Sequence, residues 1–260
     1  MHPIFFYLGG HPVRWYWVLY VCGIVAAIVM AAWRAWLEDV EISTVLDIAR
    51  WLVIFGLLGG KLFYMLTDWN SFLGAFKREG FASMGQGWVF YGGFICATVG
   101  GGWYARARGI DFWRMTDFFG AAAPLGHAFG RMGCFLAGCC YGVPSSLPWA
   151  VRFPYPHPTL GVPVHPTQLY EAAGNLALFG ALAWFLPRRK FNGQVFCLYM
   201  IGYAVLRFFV EFLRDDNPRR WPGALTDSQV LAMISIAVAM ALLWRLRRNG
   251  RSVDIAQCPG

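Results

Sequence analysis

Residues 126–142 read GHAFGRMGCFLAGCCYG, which places one histidine, one arginine, three cysteines and five glycines between long apolar runs. Three kinds of chemistry are open to such a set. The thiols suit a metal site or a redox pair, and the arginine with glycine-exposed backbone suits a pocket for an anionic headgroup. A guanidinium can hold a phosphate through two parallel hydrogen bonds. Arg131, between Gly130 and Gly133, is therefore the first candidate ligand for such an anion. His127 precedes it by four residues, on the same face if the stretch is helical, and is the candidate general base.

A second group lies downstream. Arg207 and Glu211 are four apart and share a helix face, which Tyr203 and Arg214 extend. One Arg and one Glu would suffice for pairing alone, so a Tyr-Arg-Glu-Arg stripe predicts a polar interior. Lys61, Asp117, Arg131, Glu171, Arg207 and Glu211 all fall in or at the ends of apolar runs. Charges at mid-membrane cost roughly 2.5–3.5 kcal/mol each. Snorkelling or structural pairing accounts for Lys61 and Asp117 as well as function does. Arg131 and Arg207, carried by different helices and backed by glycine amides, predict a phosphate site.

The thiols leave several readings open. Cys134, Cys139 and Cys140 lack the paired CxxC spacing of structural zinc sites, though His127, His157 or His165 could complete a ligand set. A disulfide is open, but the adjacent Cys139 and Cys140 bridge each other only under strain. The expectation adopted is small packed thiols in a glycine-rich bend, with no metal and no cofactor. His165, before Pro166, reads as a hydrogen-bonding anchor rather than a catalyst.

The elements that must position these groups follow from composition. Hydrophobic residues make up 58% of the 260-residue chain and charged ones 14%, far from the soluble norm of roughly 45–50% and about 25%. The expected fold is an all-α membrane protein with about seven transmembrane helices around a polar, glycine-rich cavity open to the outer side. The apolar runs lie at 14–33, 47–67, 88–105, 115–137, 168–186, 193–213 and 225–244, within a single integral membrane domain covering 1–260. No cleavable signal peptide is evident. Residues 68–87 read as an amphipathic interfacial segment. Residues 138–167 form a proline-rich external loop, because repeated proline excludes helix and such backbone cannot face lipid. The intramembrane glycines read either as close helix packing or as helix breaks that expose amides.

The net charge of +8 is a topology signal, not a nucleic-acid footprint. Twelve basic residues, among them Arg106, Arg108, Arg188, Arg189 and Arg245, fall after alternate spans, against seven on the other side. The positive-inside rule then places the N-terminus outside and the C-terminus in the cytoplasm.

Five motifs in order resemble the prolipoprotein diacylglyceryl transferase family over most of the chain. RWYWVLY at 14–20 is similar to its first-span motif, with Tyr16 at the tyrosine. YGG at 91–93 resembles its HGG, so Tyr91 stands where the family has a histidine often proposed to act in catalysis and is a catalytic candidate by that position. GRMGCFLAGCCYG is similar to GRxGNFxNxExxG, with Arg131 at the arginine, Gly142 at the closing glycine, Cys134 at the asparagine and Cys139 at the glutamate. VHPTQLYEA resembles RHPSQLYE, placing His165, Gln168, Tyr170 and Glu171. GYAVLRFFVEFLRDD resembles GYxxxRxxxExxRxPD, placing Tyr203, Arg207, Glu211 and Arg214. The resemblance implies an enzyme that transfers the diacylglyceryl group of phosphatidylglycerol to the lipobox cysteine of an exported preprolipoprotein, in the bacterial inner membrane. It implies as partners phosphatidylglycerol, signal peptides and membrane lipids. With tyrosine at position 91, three accounts stay open. His127 supplies the base, or Arg207 with bound phosphate carries most of the catalysis, or the chain is a divergent paralogue with another lipid or acceptor. A non-enzymatic lipid- or thiol-binding role on the same scaffold is the remaining alternative.

Overall fold

A computed structural model of the chain describes residues 4–8, 11–80, 89–214 and 219–248. Two compact units are distinguished, Ala35–Met115 and the described residues of Met1–Arg34 with Thr116–Gly260. Helices occupy each of the seven expected apolar ranges: α1 (Trp15–Trp36), α2 (Ile42–Thr67), α4 (Phe90–Ala107), α5 (Phe112–Ala137), α6 (Thr167–Phe185), α7 (Gln194–Val210) and α8 (Asp227–Arg248). Five stretches are long and apolar enough to cross a membrane: Trp15–Trp36, Ile42–Thr67, Thr167–Arg188, Gln194–Leu213 and Asp227–Arg248.

The side chains sort inside out, as a lipid solvent requires. Val21, Val25 and Val29 recur every four residues on α1 and are 54–61% exposed. On α6 the buried residues include three polar ones, Gln168, Glu171 and Asn175, each at most 1% exposed. Burying three polar groups on one helix is tolerable only if partners are waiting for them. Those partners are described below.

In the unit Ala35–Met115, α2 and α4 lie against each other through their glycines. A Cβ on Gly93 would sit 2.8 Å from the Gly56 carbonyl oxygen, and one on Gly59 would meet Cys96. Here the glycines serve close packing, not broken helix. The expected amphipathic segment is in part a helix, α3 (Trp69–Glu79), capped by the Asp68 side chain on the Ser71 N–H at 3.3 Å. Phe72 on it is buried, and the Lys61 ammonium lies 5.4 Å from its ring centroid. Residues 81–88 lie outside the described residues.

The other unit begins with a hairpin of β1 (Ile4–Leu8) and β2 (His11–Arg14) that leads into α1. α7 packs against both α6 and α8. α1 approaches α5 at a glycine pair: a Cβ on Gly23 would lie 2.7 Å from the Gly126 carbonyl oxygen. Asp117, fully buried on α5, accepts the Gly193 and Phe196 N–H groups at 2.8 and 3.0 Å and so caps the start of α7. Its other partner is Arg189, at 3.3 Å and 2% exposed. Arg189 was expected to be one of the loop charges that orient the chain; it is a buried counter-ion instead, because Asp117 needs one.

α8 starts with a reciprocal cap. Thr226 Oγ1 accepts from the Gln229 N–H at 3.3 Å, and Gln229 Oε1 accepts from the Thr226 N–H at 3.0 Å. A short ribbon of β3 (Arg219–Trp221) and β4 (Leu225–Thr226) delivers the chain to that cap. Between α5 and α6, residues 138–166 contain no helix, as the prolines dictate. They are held by bridges of Pro144 and Val151 to Val164, and of Gly142 to Arg214.

Candidate functional site

Three helices of one unit bring the expected residues together. His127 and Arg131 come from α5, Glu171 from α6, and Tyr203 and Arg207 from α7. Arg131 Nη2 lies 2.8 Å from Glu171 Oε1, and the same oxygen accepts from the Tyr203 hydroxyl at 3.3 Å. Asn175 donates to the Glu171 carbonyl oxygen at 2.7 Å, fixing α6 one turn further on. Arg207 Nη1 lies 2.6 Å from Glu211 Oε2, while its Nη2 donates to Ser228 Oγ on α8 at 3.2 Å. Glu211 Oε1 accepts from the capping Thr226 hydroxyl at 2.7 Å.

Arg131 and Arg207, both largely covered, are each paired with a buried carboxylate, and a hydrogen-bonded neighbour holds each carboxylate in turn. A lone charge would be prohibitive here, whereas a paired and hydrogen-bonded one is tolerated. The two pairs are linked through Tyr203, which donates to Glu171 and lies one turn before Arg207 on α7. The His127 ring stands 4.7 Å from that of Tyr203, centroid to centroid, and both Arg131 and Arg207 are in electrostatic reach of each of these rings. Arg131 Nε is buried and has no hydrogen-bond acceptor among the described residues. A buried donor without an acceptor is costly.

The stripe read on one helix needs correction at its end. α7 stops at Val210, Glu211–Leu213 tighten into a 3-10 turn, and Arg214 already belongs to extended backbone bridged to Gly142. The tighter turn keeps Arg214 beside the carboxylate, its Nε lying 4.0 Å from Glu211 Oε2. Gly142 is where three segments meet. A Cβ there would lie 2.5 Å from the Leu213 carbonyl oxygen and 2.8 Å from both His165 Cβ and Thr167 Cγ2. His165 acts mainly through its backbone, donating to Val143 and accepting from Gly142, while its Nδ1 lies 3.2 Å from the Tyr170 hydroxyl.

Tyr16 on α1 backs the α5 end of the site. A Cβ on Gly133 would come within 3.3 Å of Tyr16 backbone atoms, whereas Gly130 faces open space. Cys134, Cys139 and Cys140 are free thiols whose sulfurs cluster. Hydrogen bonds from Cys134 and Cys139, then the positive charge of Arg214, hold the Cys140 thiol far below the ordinary range. Cys139 is pushed the other way by its hydrogen bonds to Cys134 and Cys140. Tyr91 lies on α4 in the other unit, and its side chain falls outside the described residues.

Sequence reading placed Glu171 among the intramembrane charges and in the QLYE motif but gave it no partner; it is the partner of Arg131. Its signal was an acid inside an apolar run. Thr226 and Ser228 were missed, although T-x-x-Q ahead of an apolar run marks a helix start and places both beside α7.

Membrane-crossing helices with two guanidinium–carboxylate pairs around a His–Tyr centre define a multi-pass membrane protein. Residues 3–245 match the family described as prolipoprotein diacylglyceryl transferase, and the chain belongs to it. It is similar to proteins named phosphatidylglycerol–prolipoprotein diacylglyceryl transferase. One, from Finegoldia magna, is 36% identical over 244 residues, covering 93% of each chain. Another, from Clostridium tetani, is 34% identical over 92% of this chain and 96% of its own. A third, from Clostridioides difficile, is 31% identical over 98% of this chain and all of its own length.

Proposed function

We propose that the protein transfers the diacylglyceryl group of phosphatidylglycerol to the cysteine thiol of exported preprolipoproteins, forming a thioether and releasing glycerol phosphate. The observation that carries this reading is the pair of guanidinium groups from α5 and α7: Arg131 shares the Glu171 carboxylate with the Tyr203 hydroxyl, and Arg207 lies one turn along α7 from Tyr203, whose ring meets that of His127. In this reading the phosphodiester lies between Arg131 and Arg207. The acceptor sulfur forms its bond to the glyceryl carbon as the carbon–oxygen bond breaks, and the electron pair leaves on the phosphate oxygen. Arg131 Nε and the Tyr203 hydroxyl stabilise the charge that develops on that leaving group. His127 takes the proton of the thiol, because a thiol attacks as thiolate. Glu171 and Glu211 hold the two guanidinium groups in place. Gly130, Gly133, Cys134, Gly142, Tyr16, Arg214 and His165 shape the surrounding pocket; Tyr91, at the family's histidine position, is the other catalytic candidate, and His127 is the one argued for the thiol's proton.

The chain sits in the bacterial inner membrane as one integral membrane domain with seven spans. Its N-terminus is outside and its C-terminus cytoplasmic, and the residues 138–167 form an external cover over a cavity open to the outer leaflet. Signal peptides and lipid reach the site from that side. The test is conversion of phosphatidylglycerol and a lipobox peptide to thioether product by the purified protein. Arg131→Lys and Arg207→Lys should each lower kcat/KM at least tenfold, the effect of losing about 1.5–3 kcal/mol per hydrogen bond to a charged group. No product from wild-type protein in phosphatidylglycerol would falsify the assignment.

A further inference from the structure

The three clustered thiols have no step in the reaction as proposed, yet the fold invests in their arrangement. Their sulfur atoms all lie within 4.8 Å of one another. Around a tetrahedral ion with metal–sulfur bonds of about 2.3 Å, sulfurs stand about 3.8 Å apart, so side-chain rotation closes the difference. Two left-handed residues bring Cys139 and Cys140 back toward the end of α5: Gly138 has φ 74° and Cys140 has φ 62°, which a residue with a Cβ rarely holds. That bend is fastened from α6 by buried groups. Gln168 Nε2 donates to the Cys139 carbonyl oxygen at 2.6 Å, and Thr167 Oγ1 donates to that of Cys140 at 2.7 Å. His157 Nε2 lies 2.7 Å from the Gly138 carbonyl oxygen, so this ring positions the bend and is not free to ligate. The backbone is thus tied down while the three sulfurs remain unbridged.

We propose that Cys134, Cys139 and Cys140 bind a thiophilic divalent cation of the zinc class, with the fourth position left for the acceptor thiol. Three thiolates and a divalent ion leave about one net negative charge, and Arg131 and Arg214 are in electrostatic reach to balance it. Three protein ligands with one open position is the pattern of reactive rather than structural zinc. Cys139 is exposed, which gives an incoming thiol access. On binding, the acceptor would exchange its S–H bond for a metal–sulfur bond, and its proton would pass, by relay and not directly, to His127, seven residues before Cys134 on α5. The metal-held thiolate would then stand beside Arg131, the proposed phosphate ligand. This role for the ion rests on the transferase reading; the metal site itself does not.

The test uses protein purified in detergent under anaerobic, reducing conditions. Zinc content should approach one per chain. Cobalt should bind in its place and give sulfur-to-cobalt charge-transfer absorption, and a lipobox peptide with cysteine should shift that absorption while its serine analogue does not. The combined Cys134→Ser, Cys139→Ser and Cys140→Ser variant should bind cobalt at least 100-fold more weakly. The cobalt spectrum of wild-type protein stands even if that variant fails to fold. Three titratable thiols without metal uptake under reducing conditions, or a cobalt signature kept by the triple variant, overturns the site. A cobalt spectrum indifferent to the cysteine peptide overturns the acceptor role. Thioether formation is scored separately, so active protein without metal sinks this inference and leaves the transferase reading standing.

Discussion

Replacing Glu171 by glutamine is the sharpest probe of how the site is held. The amide has nearly the shape of the carboxylate, so packing on α6 is kept and only the charge is removed. That charge faces Arg131 at 2.8 Å and the Tyr203 hydroxyl at 3.3 Å, with the Glu171 side chain 1% and the Arg131 side chain 15% exposed. Deleting one partner of a buried ion pair outright costs about 3–5 kcal/mol. Glutamine retains one oxygen that can accept from Arg131, so the loss falls to the charge assistance, about 1.5–3 kcal/mol. If that energy positions Arg131 for the transition state, kcat/KM for diacylglyceryl transfer falls roughly 10- to 150-fold. The assay is thioether formation from phosphatidylglycerol and a lipobox peptide, with the thermal midpoint in detergent measured alongside. The variant should remain folded at the assay temperature with a lowered midpoint. A kcat/KM within twofold of wild type refutes the reasoning, because Arg131 would then act without its carboxylate.

Four further outcomes are expected. His127→Ala should lower turnover about 100-fold or more, the usual worth of a positioned base, while Tyr91→Phe leaves it unchanged; single-turnover rates decide between the two positions. Tyr203→Phe removes the hydroxyl on Glu171 Oε1, and about 1 kcal/mol lost should appear as roughly a fivefold slower reaction with unchanged expression. Gly142→Ala forces a methyl against the Leu213 carbonyl, His165 and Thr167, and overpacking should cost about 1–3 kcal/mol, read as a lower thermal midpoint. Asp117→Asn removes the charge facing Arg189 but keeps one acceptor oxygen, and should destabilise by about 1.5–3 kcal/mol, seen as a lower thermal midpoint in detergent.

The groups most legible in sequence were those whose cost announces them. Arg131, Arg207 and Glu211 stood out because charges in apolar runs demand a reason, and the i, i+4 spacing placed two of them on one face. The helices were equally plain, since long apolar runs have few alternatives in a membrane. Less could be read wherever a residue's role depends on a partner far along the chain. Arg189 looked like a loop charge until Asp117, from another helix, was found against it at 3.3 Å. The glycines admitted two readings until close contacts such as Gly56 with Gly93 showed helices touching.

By itself, then, the amino-acid order determined that this is a helical membrane protein, which residues are too polar to face lipid, and which family its motifs belong to. Hydropathy and short-range spacing carry that information because they act within one helix. Tertiary structure alone decided that Glu171 serves Arg131, that Ser228 and Thr226 brace the Arg207–Glu211 pair, and that three thiols share one corner. These are contacts between residues distant in the chain, and their energies depend on which helices lie side by side.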